Sequence, residues 1–451
     1  MNSLYTKLVS NFLFPLHEML KKHDSVRIKK QLEKSQWFSR EEIETNQLKR
    51  LKAFLNKAYQ NVPYVKEMFQ SLGLTPSDIK SLNDLAKLPF MTKEVIQKNF
   101  DALKSLHSGP VAKGNTGGSS GQPLIFMIGK ERLSHDVAEK WRATRWWDVD
   151  IGDKEIVAWG SPIELGSQDK VKLYRDKLFR SELIPAFDMT EEKLLGFIEK
   201  IKSMKPKMLF GYPSVYHLIA KTAESHHIDM TGLGIKVVFV TSERLYPYQR
   251  EAIEKAFGCK VANGYGGRDA GFIAHECPGG NMHISAEDIV VEIIGNNGEV
   301  LPDGEQGEIV VTQLSTGDFP FIRYRTGDVA TISEKKCSCG RGLPILENIQ
   351  GRTTDFVVAA DGTMMHGLAL IYVLRELKGI ESFKIVQETL EHTRVLVIKN
   401  DNISASSLSS QIVEGFKKRL GNSVQVDVEF VKKIDAEKSG KFRYVISKVA
   451  A

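Results

Sequence analysis

Ten consecutive residues, Gly114-Asn115-Thr116-Gly117-Gly118-Ser119-Ser120-Gly121-Gln122-Pro123, contain four glycines and five hydroxyl or amide side chains. Glycine tolerates positive φ and close backbone approach, so such a loop can aim N–H groups and hydroxyls at a polyanion. No Gly-Lys-Ser/Thr closes it, which excludes a P-loop of the Walker type. Alone, the stretch reads equally well as a tight hairpin connection. Asn263-Gly264-Tyr265-Gly266-Gly267-Arg268-Asp269 sets an aromatic face and a carboxylate on a glycine turn, suited to a flat ring and to Mg²⁺. Arg323-Tyr324-Arg325-Thr326-Gly327-Asp328 reads as a strand ending in Thr-Gly-Asp, whose carboxylate can accept from both hydroxyls of a ribose. Arg352 and Asp355 stand together in Gly-Arg-Thr-Thr-Asp, and Lys441 sits on a glycine turn in Ser-Gly-Lys-Phe-Arg.

The cysteines carry a separate signal. Cys277 and His283, then Cys337 and Cys339, supply three thiols and an imidazole beside the turns Pro278-Gly279-Gly280 and Gly340-Arg341-Gly342. That donor set suits tetrahedral Zn²⁺, against the alternative of free cysteines and a surface histidine. Cys259 has no motif partner and is expected to be buried. No histidine is tied by motif to a serine or cysteine, so a nucleophile–base scheme finds no support.

These groups need a scaffold. Residues 1–100 read mainly as helices, with apolar residues at three-to-four spacing over 40–60 and 95–103, punctuated by Pro63, Pro76 and Pro89. A helix over 131–147 is rich in Trp and Arg, read as packed aromatics with a solvated charged face. Short apolar runs at 155–159, 208–212 and 236–241 alternate with helical stretches at 191–202 and 214–223. This is the pattern of an α/β sheet covered by helices. Ligand loops gather at the ends of such strands, which places Phe210, Gly211, Tyr212, Pro213 and Glu243 on the rim. Alternation over 288–311 reads as β-structure, and strands and helices mix again beyond 352. The expected fold class is α/β: a large N-terminal domain over 1–351, with a helical lead-in over 1–100 and a β-rich subdomain, then a small mobile α+β domain over 352–451.

Composition bounds the partners. The 451 residues are 42% apolar and 26% charged, an ordinary globular balance for two or three compact units. A net charge of +6 suits an anionic substrate or cofactor and is too dilute for nucleic acid. Residues 1–22 hold an apolar patch cut by Pro15, without signal-peptide character, and read as a core-packed helix rather than a membrane-surface one. No uncharged run is long enough for a transmembrane segment. Four cysteines in this length make no disulfide scaffold, so a cytoplasmic setting is expected.

In this order, the motifs resemble the adenylate-forming superfamily of AMP-producing acyl–CoA synthetases. Within it the chain is similar to the phenylacetate–CoA ligase branch and its CapK-like relatives from capsular-polysaccharide gene clusters, over residues 80–451. The resemblance implies that Thr116, Gly117, Gly118, Ser119, Ser120 and Gly121 embrace the ATP phosphates and that Glu243 helps bind Mg-ATP. It implies Tyr265 and Gly266 against adenine and acyl group, Asp269 near Mg²⁺, Asp328 on the ribose, and Arg352 holding the nucleotide. Asp355 would be the hinge and Lys441 the mobile catalytic lysine. Two departures stand out: Arg268-Asp269 replaces the usual Thr-Glu, and the glycine-rich loop lacks the lysine of many relatives. A structural zinc in some members of the branch favours the Cys/His reading. The implied reaction is ATP-dependent activation of a carboxylic acid to an acyl adenylate, then transfer to the thiol of coenzyme A. Phe210, Gly211, Tyr212 and Pro213 would shape the acid pocket, whose aromatic character would suit an aryl acid. The rival acceptor is an amine, giving an amide ligase, and the non-enzymatic rival is a nucleotide-binding scaffold.

Overall fold

The runs Met208–Gly211 and Val237–Thr241 have no polar face, as a strand covered on both sides requires. The computed structural model describes residues 3–116, 124–159, 170–186, 189–350, 356–362, 364–400, 404–434 and 445–449. The chain divides into two compact units, one containing the described residues through Gln350 and the other those from Phe356 onward.

In the larger unit, β1 (Ala112–Asn115) and β2 (Ile125–Ile128) form an antiparallel hairpin. β3 (Glu155–Trp159), β4 (Ser181–Pro185), β5 (Met208–Gly211), β6 (Val237–Thr241) and β7 (Lys260–Gly267) are parallel, in the order β4-β3-β5-β6-β7. β8 (Gly271–Glu276), β9 (Met282–Ile284), β10 (Ile289–Ile294), β11 (Gln306–Gln313), β12 (Phe321–Ser333) and β13 (Ile345–Gln350) continue the same sheet antiparallel, in the order β7-β8-β9-β13-β12-β11-β10. The chain leaves β3 for β4 on one side and returns to β5 on the other. Strand order thus reverses at β3, and ligand crevices open at the carboxyl ends on either side of such a reversal.

Alternation along the parallel strands sorts two cores. Ile156, Leu209, Val238 and Val261 face the helices Glu191–Met204, Pro213–Ser225 and Pro247–Phe257. Met208, Phe210, Val237, Phe239 and Ala262 face the other way and pack with Ala143 of the helix Lys130–Arg145. The helices Arg40–Asn61 and Pro63–Ser71 cover Val290, Leu314 and Ile322 beside the antiparallel strands.

Two expectations are corrected here. The first helix, running through Pro15 over residues 4–20, is not simply core-packed: it packs one face and leaves the other exposed. The charges of Lys130–Arg145 are also not simply solvated. Arg142 is fully buried, donating to Glu287 at 2.8 Å and Glu139 at 2.5 Å. Ser285 donates to Glu139 at 3.0 Å and Ser35 to Glu287 at 2.7 Å, so the cluster joins three segments. Burial would drive a lone guanidinium toward neutrality, but the two carboxylates outweigh it and hold Arg142 above its ordinary value.

The smaller unit pairs β14 (Phe356–Val358) with β15 (Met364–His366) and orders β16 (Ile380–Thr389), β17 (His392–Lys399), β18 (Gln425–Phe430) and β19 (Val445–Ser447) as β18-β17-β16-β19. The helices Leu368–Glu376 and Ala405–Leu420 close its core over Phe383, Ile385, Val395 and Val397. Buried Gln387 ties β14 to this sheet, accepting the Val358 N–H at 2.9 Å and donating to its carbonyl at 2.6 Å.

Removing one member of a buried ion cluster leaves uncompensated charge. Arg142→Met is expected to lower stability by about 3–5 kcal/mol in urea unfolding, and adding Glu139→Gln and Glu287→Gln should restore much of it. An unchanged midpoint in the single variant would contradict this account.

Candidate functional site

The carboxyl ends of the parallel strands carry an aromatic wall. In-register pairing sets Phe210 beside Phe239, and their rings stack at 5.8 Å. Trp159, at the end of β3, stacks on Phe210 at 6.2 Å and on Tyr212 at 4.6 Å with planes 16° apart. Lys140 lies over Phe210, its Nζ 4.6 Å from the ring centroid. Between Phe210 and Tyr212 the backbone must pass close to β3. Gly211 does so at φ 148°, where a Cβ would stand 2.2 Å from the Ala158 carbonyl oxygen. Of these residues the sequence pointed to Phe210, Gly211, Tyr212 and Pro213. It missed Trp159, Phe239 and Lys140, for which only strand periodicity offered a signal.

Beyond β6 the chain turns through Ser242 at φ 70° to Glu243. The Glu243 carboxylate accepts the Ser214 N–H at 3.2 Å, at the N-terminal end of Pro213–Ser225, where a negative charge is favoured. Burial nevertheless dominates and pushes its carboxyl up to about 7, against the pull of the Ser214 hydroxyl and N–H.

Two crossed phenol–carboxylate bonds join β12 to the β7–β8 turn. Tyr265 donates to Asp328 at 2.8 Å, and Tyr324 donates to Asp269 at 2.7 Å. β12 lies four strands from β7 along the sheet, roughly 19 Å if flat, so the antiparallel half curls back over the turn. Arg132 holds the same turn, donating to the Asp269 carbonyl at 3.0 Å and to the Arg268 carbonyl. Asp328 does not end a strand, as the sequence suggested. β12 runs on to Ser333, and its register against β11 slips between Arg325↔Val310 and Val329↔Glu308. The slip leaves Thr326, Gly327 and Asp328 in a bulge, with Gly327 at φ 79°.

Thr116 closes the neck of the β1–β2 hairpin, its hydroxyl accepting the Leu124 N–H at 2.9 Å. Gly117, Gly118, Ser119, Ser120, Gly121, Arg352, Asp355 and Lys441 lie outside the described residues.

Cys277, His283, Cys337 and Cys339 converge, with their ligand atoms all within 4.8 Å of one another. Cys277 and Cys337 sulfurs are 3.5 Å apart, near the roughly 3.8 Å expected of two thiolates on one tetrahedral zinc. His283 Nδ1 faces the Leu343 carbonyl at 3.0 Å, which keeps its proton there and leaves Nε2 free to ligate, 3.2 Å from Cys339 Sγ. Matching turns return Gly280 N–H to Cys277 O at 2.8 Å and Gly340 N–H to Cys337 O at 3.2 Å. The donor set therefore fits a zinc knuckle. Cys259 packs against the core beside the parallel strands but is partly rather than fully buried.

Two family matches fall on this framework: the AMP-binding enzyme family over residues 183–316 and the CapK C-terminal domain over 357–448. The chain belongs to the adenylate-forming superfamily, in its phenylacetate–CoA ligase branch. Protein CapK of Staphylococcus aureus is 26% identical to it, with 89% of each chain covered. The phenylacetate-coenzyme A ligase of Aromatoleum evansii is 28% identical over 71% of this chain and 72% of its own. The fold is that of a 2-hydroxyisobutyryl-CoA ligase crystallised with 2-HIB-AMP and CoA, with a TM-score of 0.65, 22% identity and 90% of each chain covered. The family thus matches a large α/β unit and an α+β unit read from pattern alone.

Glu243 yields a pH prediction. Its folded value, about 7, exceeds the ordinary 4.5, so the folded state binds the extra proton and loses stability as pH rises between those values. Glu243→Gln should remove that fall, which is at most about 1.4 kcal/mol per pH unit. Urea midpoints of both proteins across this range, without nucleotide, check the sign.

Proposed function

We propose that this member of the adenylate-forming ligases joins a carboxylic acid to ATP as an acyl adenylate and passes the acyl group to the thiol of coenzyme A. The observation that supports this most directly is the crossed Tyr265–Asp328 and Tyr324–Asp269 pairing at the strand-end rim. It holds two carboxylates in fixed directions beside an aromatic wall. Asp328, oriented by the Tyr265 hydroxyl, would accept from the ribose hydroxyls. Glu243 and Asp269 would bind Mg-ATP, and Tyr265 with Gly266 would border the adenine and acyl groups. Mg²⁺, when bound, neutralises charge on the phosphates. The acid's carboxylate oxygen attacks the α-phosphorus, the α–β anhydride bond breaks, and pyrophosphate leaves. A coenzyme A thiolate then attacks the acyl carbonyl and expels AMP. Thr116, Gly117, Gly118, Ser119, Ser120 and Gly121 would cradle the leaving phosphates, Arg352 would hold the nucleotide, and Lys441 would stabilise the developing charge. We assign 352–451 as a mobile domain with Asp355 as its hinge.

The stack of Trp159, Tyr212, Phe210 and Phe239 favours an aryl acid, because flat rings pack face to face or offset on such a surface. An amine acceptor is the second reading, favoured by the indoleacetate–lysine synthetase of Pseudomonas savastanoi, 31% identical over 140 residues but covered over only 32% of its length. The Cys/His knuckle is assigned to structural Zn²⁺, with thiols that suit a reducing, cytoplasmic setting.

Pyrophosphate release from Mg-ATP across aryl and aliphatic acids, with and without coenzyme A, tests the reading. Acid-dependent release accelerated by coenzyme A is expected, reduced by about a hundred- to a thousandfold in Lys441→Ala. Release indifferent to coenzyme A would transfer the reading to an amine, and ATP binding without release would leave a scaffold. For the knuckle, elemental analysis is expected to find one zinc per chain in the wild type and little in Cys339→Ser. Metal-free wild-type protein would remove the assignment.

A further inference from the structure

The helix over residues 4–20 is a continuous rod in which Leu4–Leu8 and Phe14–Leu20 are α-helical and Val9–Leu13 makes a wider π turn. Pro15 explains the turn: it has no N–H, and its ring crowds the carbonyl four residues back, so the preceding turn loosens. In an ideal α-helix, side chains four apart drift by about 40° per step. The wider turn offsets that drift and keeps Leu4, Leu8, Phe12, Leu16 and Leu20 along one line. All five are exposed, from 45% at Leu8 to 88% at Leu4, and Met19 beside them is 65% exposed.

The opposite face cannot roll away. Val9 and Phe14 are buried, the Thr6 hydroxyl donates to Asp153 at 2.8 Å, and the Tyr5 hydroxyl donates to the Leu178 carbonyl at 2.9 Å. Phe14 and His17 rings meet Phe179 at 6.1 and 5.4 Å. The adjoining helix Lys170–Leu178 adds exposed Leu173, Tyr174 and Leu178 to the patch. Exposed Lys7, Lys21, Lys22 and Lys177 flank it. Among the described residues the nearby acids are occupied: Asp24 pairs with Arg27, Asp176 with Arg175, and Glu18 is buried against His17, His23 and Ser25.

We propose that this face docks on an anionic lipid bilayer, the leucine line entering the headgroup boundary and the lysines meeting acidic headgroups. An apolar line flanked by exposed lysines is the pattern of an interfacial helix, and acidic lipids supply a matching counter-charge. A second copy of the chain fits less well, since two-fold pairing would bring the same lysines together. The site of adenylation is not involved.

Vesicle flotation of the full chain tests this, using phosphatidylcholine alone and phosphatidylcholine mixed with phosphatidylglycerol. The wild type should bind the mixed vesicles roughly tenfold more than the neutral ones and release in high salt. Two variants, Leu8→Glu/Phe12→Glu/Leu16→Glu and Lys7→Glu/Lys21→Glu/Lys22→Glu, should each lose about tenfold in binding while keeping the wild-type circular dichroism and melting temperature. Absence of wild-type binding, or undiminished binding by both folded variants, overturns the proposal. So does a dimer in sedimentation that the leucine variant dissociates, which would assign the face to a second copy.

Discussion

The Arg142 guanidinium has no access to water, and what it must hold explains much of the larger unit. Two carboxylates from separate segments have to reach it, Glu139 one turn away and Glu287 just before β10. The helix Lys130–Arg145 is thereby fixed in rotation as well as position. Its N-terminal end sends Arg132 to the carbonyls of Arg268 and Asp269, and beyond its C-terminal end Trp147 donates to the Glu276 carbonyl at 3.0 Å. One helix therefore indexes the turn that carries Asp269 and the strand that leads into Cys277. Such a cluster is costly to assemble from a hydrated chain, and losing one member is costlier still. Its contribution is registration more than net stability.

Registration matters because the candidate site is drawn from both halves of a bent sheet. The parallel half contributes strand ends: Trp159, Tyr212, Glu243 and Tyr265. The antiparallel half contributes Asp328, displaced sideways by the bulge in β12. Only curling brings β12 over the β7–β8 turn, and the paired tyrosines hold it there. Each carboxylate is oriented by a tyrosine from the opposite half, and Asp269 also accepts the Ala270 N–H at 3.0 Å.

The electrostatics are mixed by design of position rather than composition. Glu243 sits where a helix terminus favours its charge but burial opposes it, which brings its titration near neutrality. A cation arriving with nucleotide would settle that balance toward the ionised form. Binding and protonation are then linked at a residue whose neighbours provide little other compensation.

Much was legible from the chain because the signals were local. The short, mostly apolar runs marked β3, β5 and β6 closely, and glycine turns marked the two knuckle loops, since strand periodicity and turn chemistry act over a few residues. The order of the motifs pointed to the superfamily for the same reason. What short-range patterns could not decide was which distant residues would meet. The Thr-Gly-Asp segment reads as a strand end in sequence, and only pairing with β11 makes it a bulge. The arginines of Lys130–Arg145 read as solvated until Glu287 arrives from another segment. The first helix reads as core-packed until the structure buries only its inner face, holding a π turn with the leucines outward. Sequence determined the elements and their chemical equipment; tertiary packing alone decided the partners, because burial and hydrogen bonding between remote segments leave no trace in local spacing.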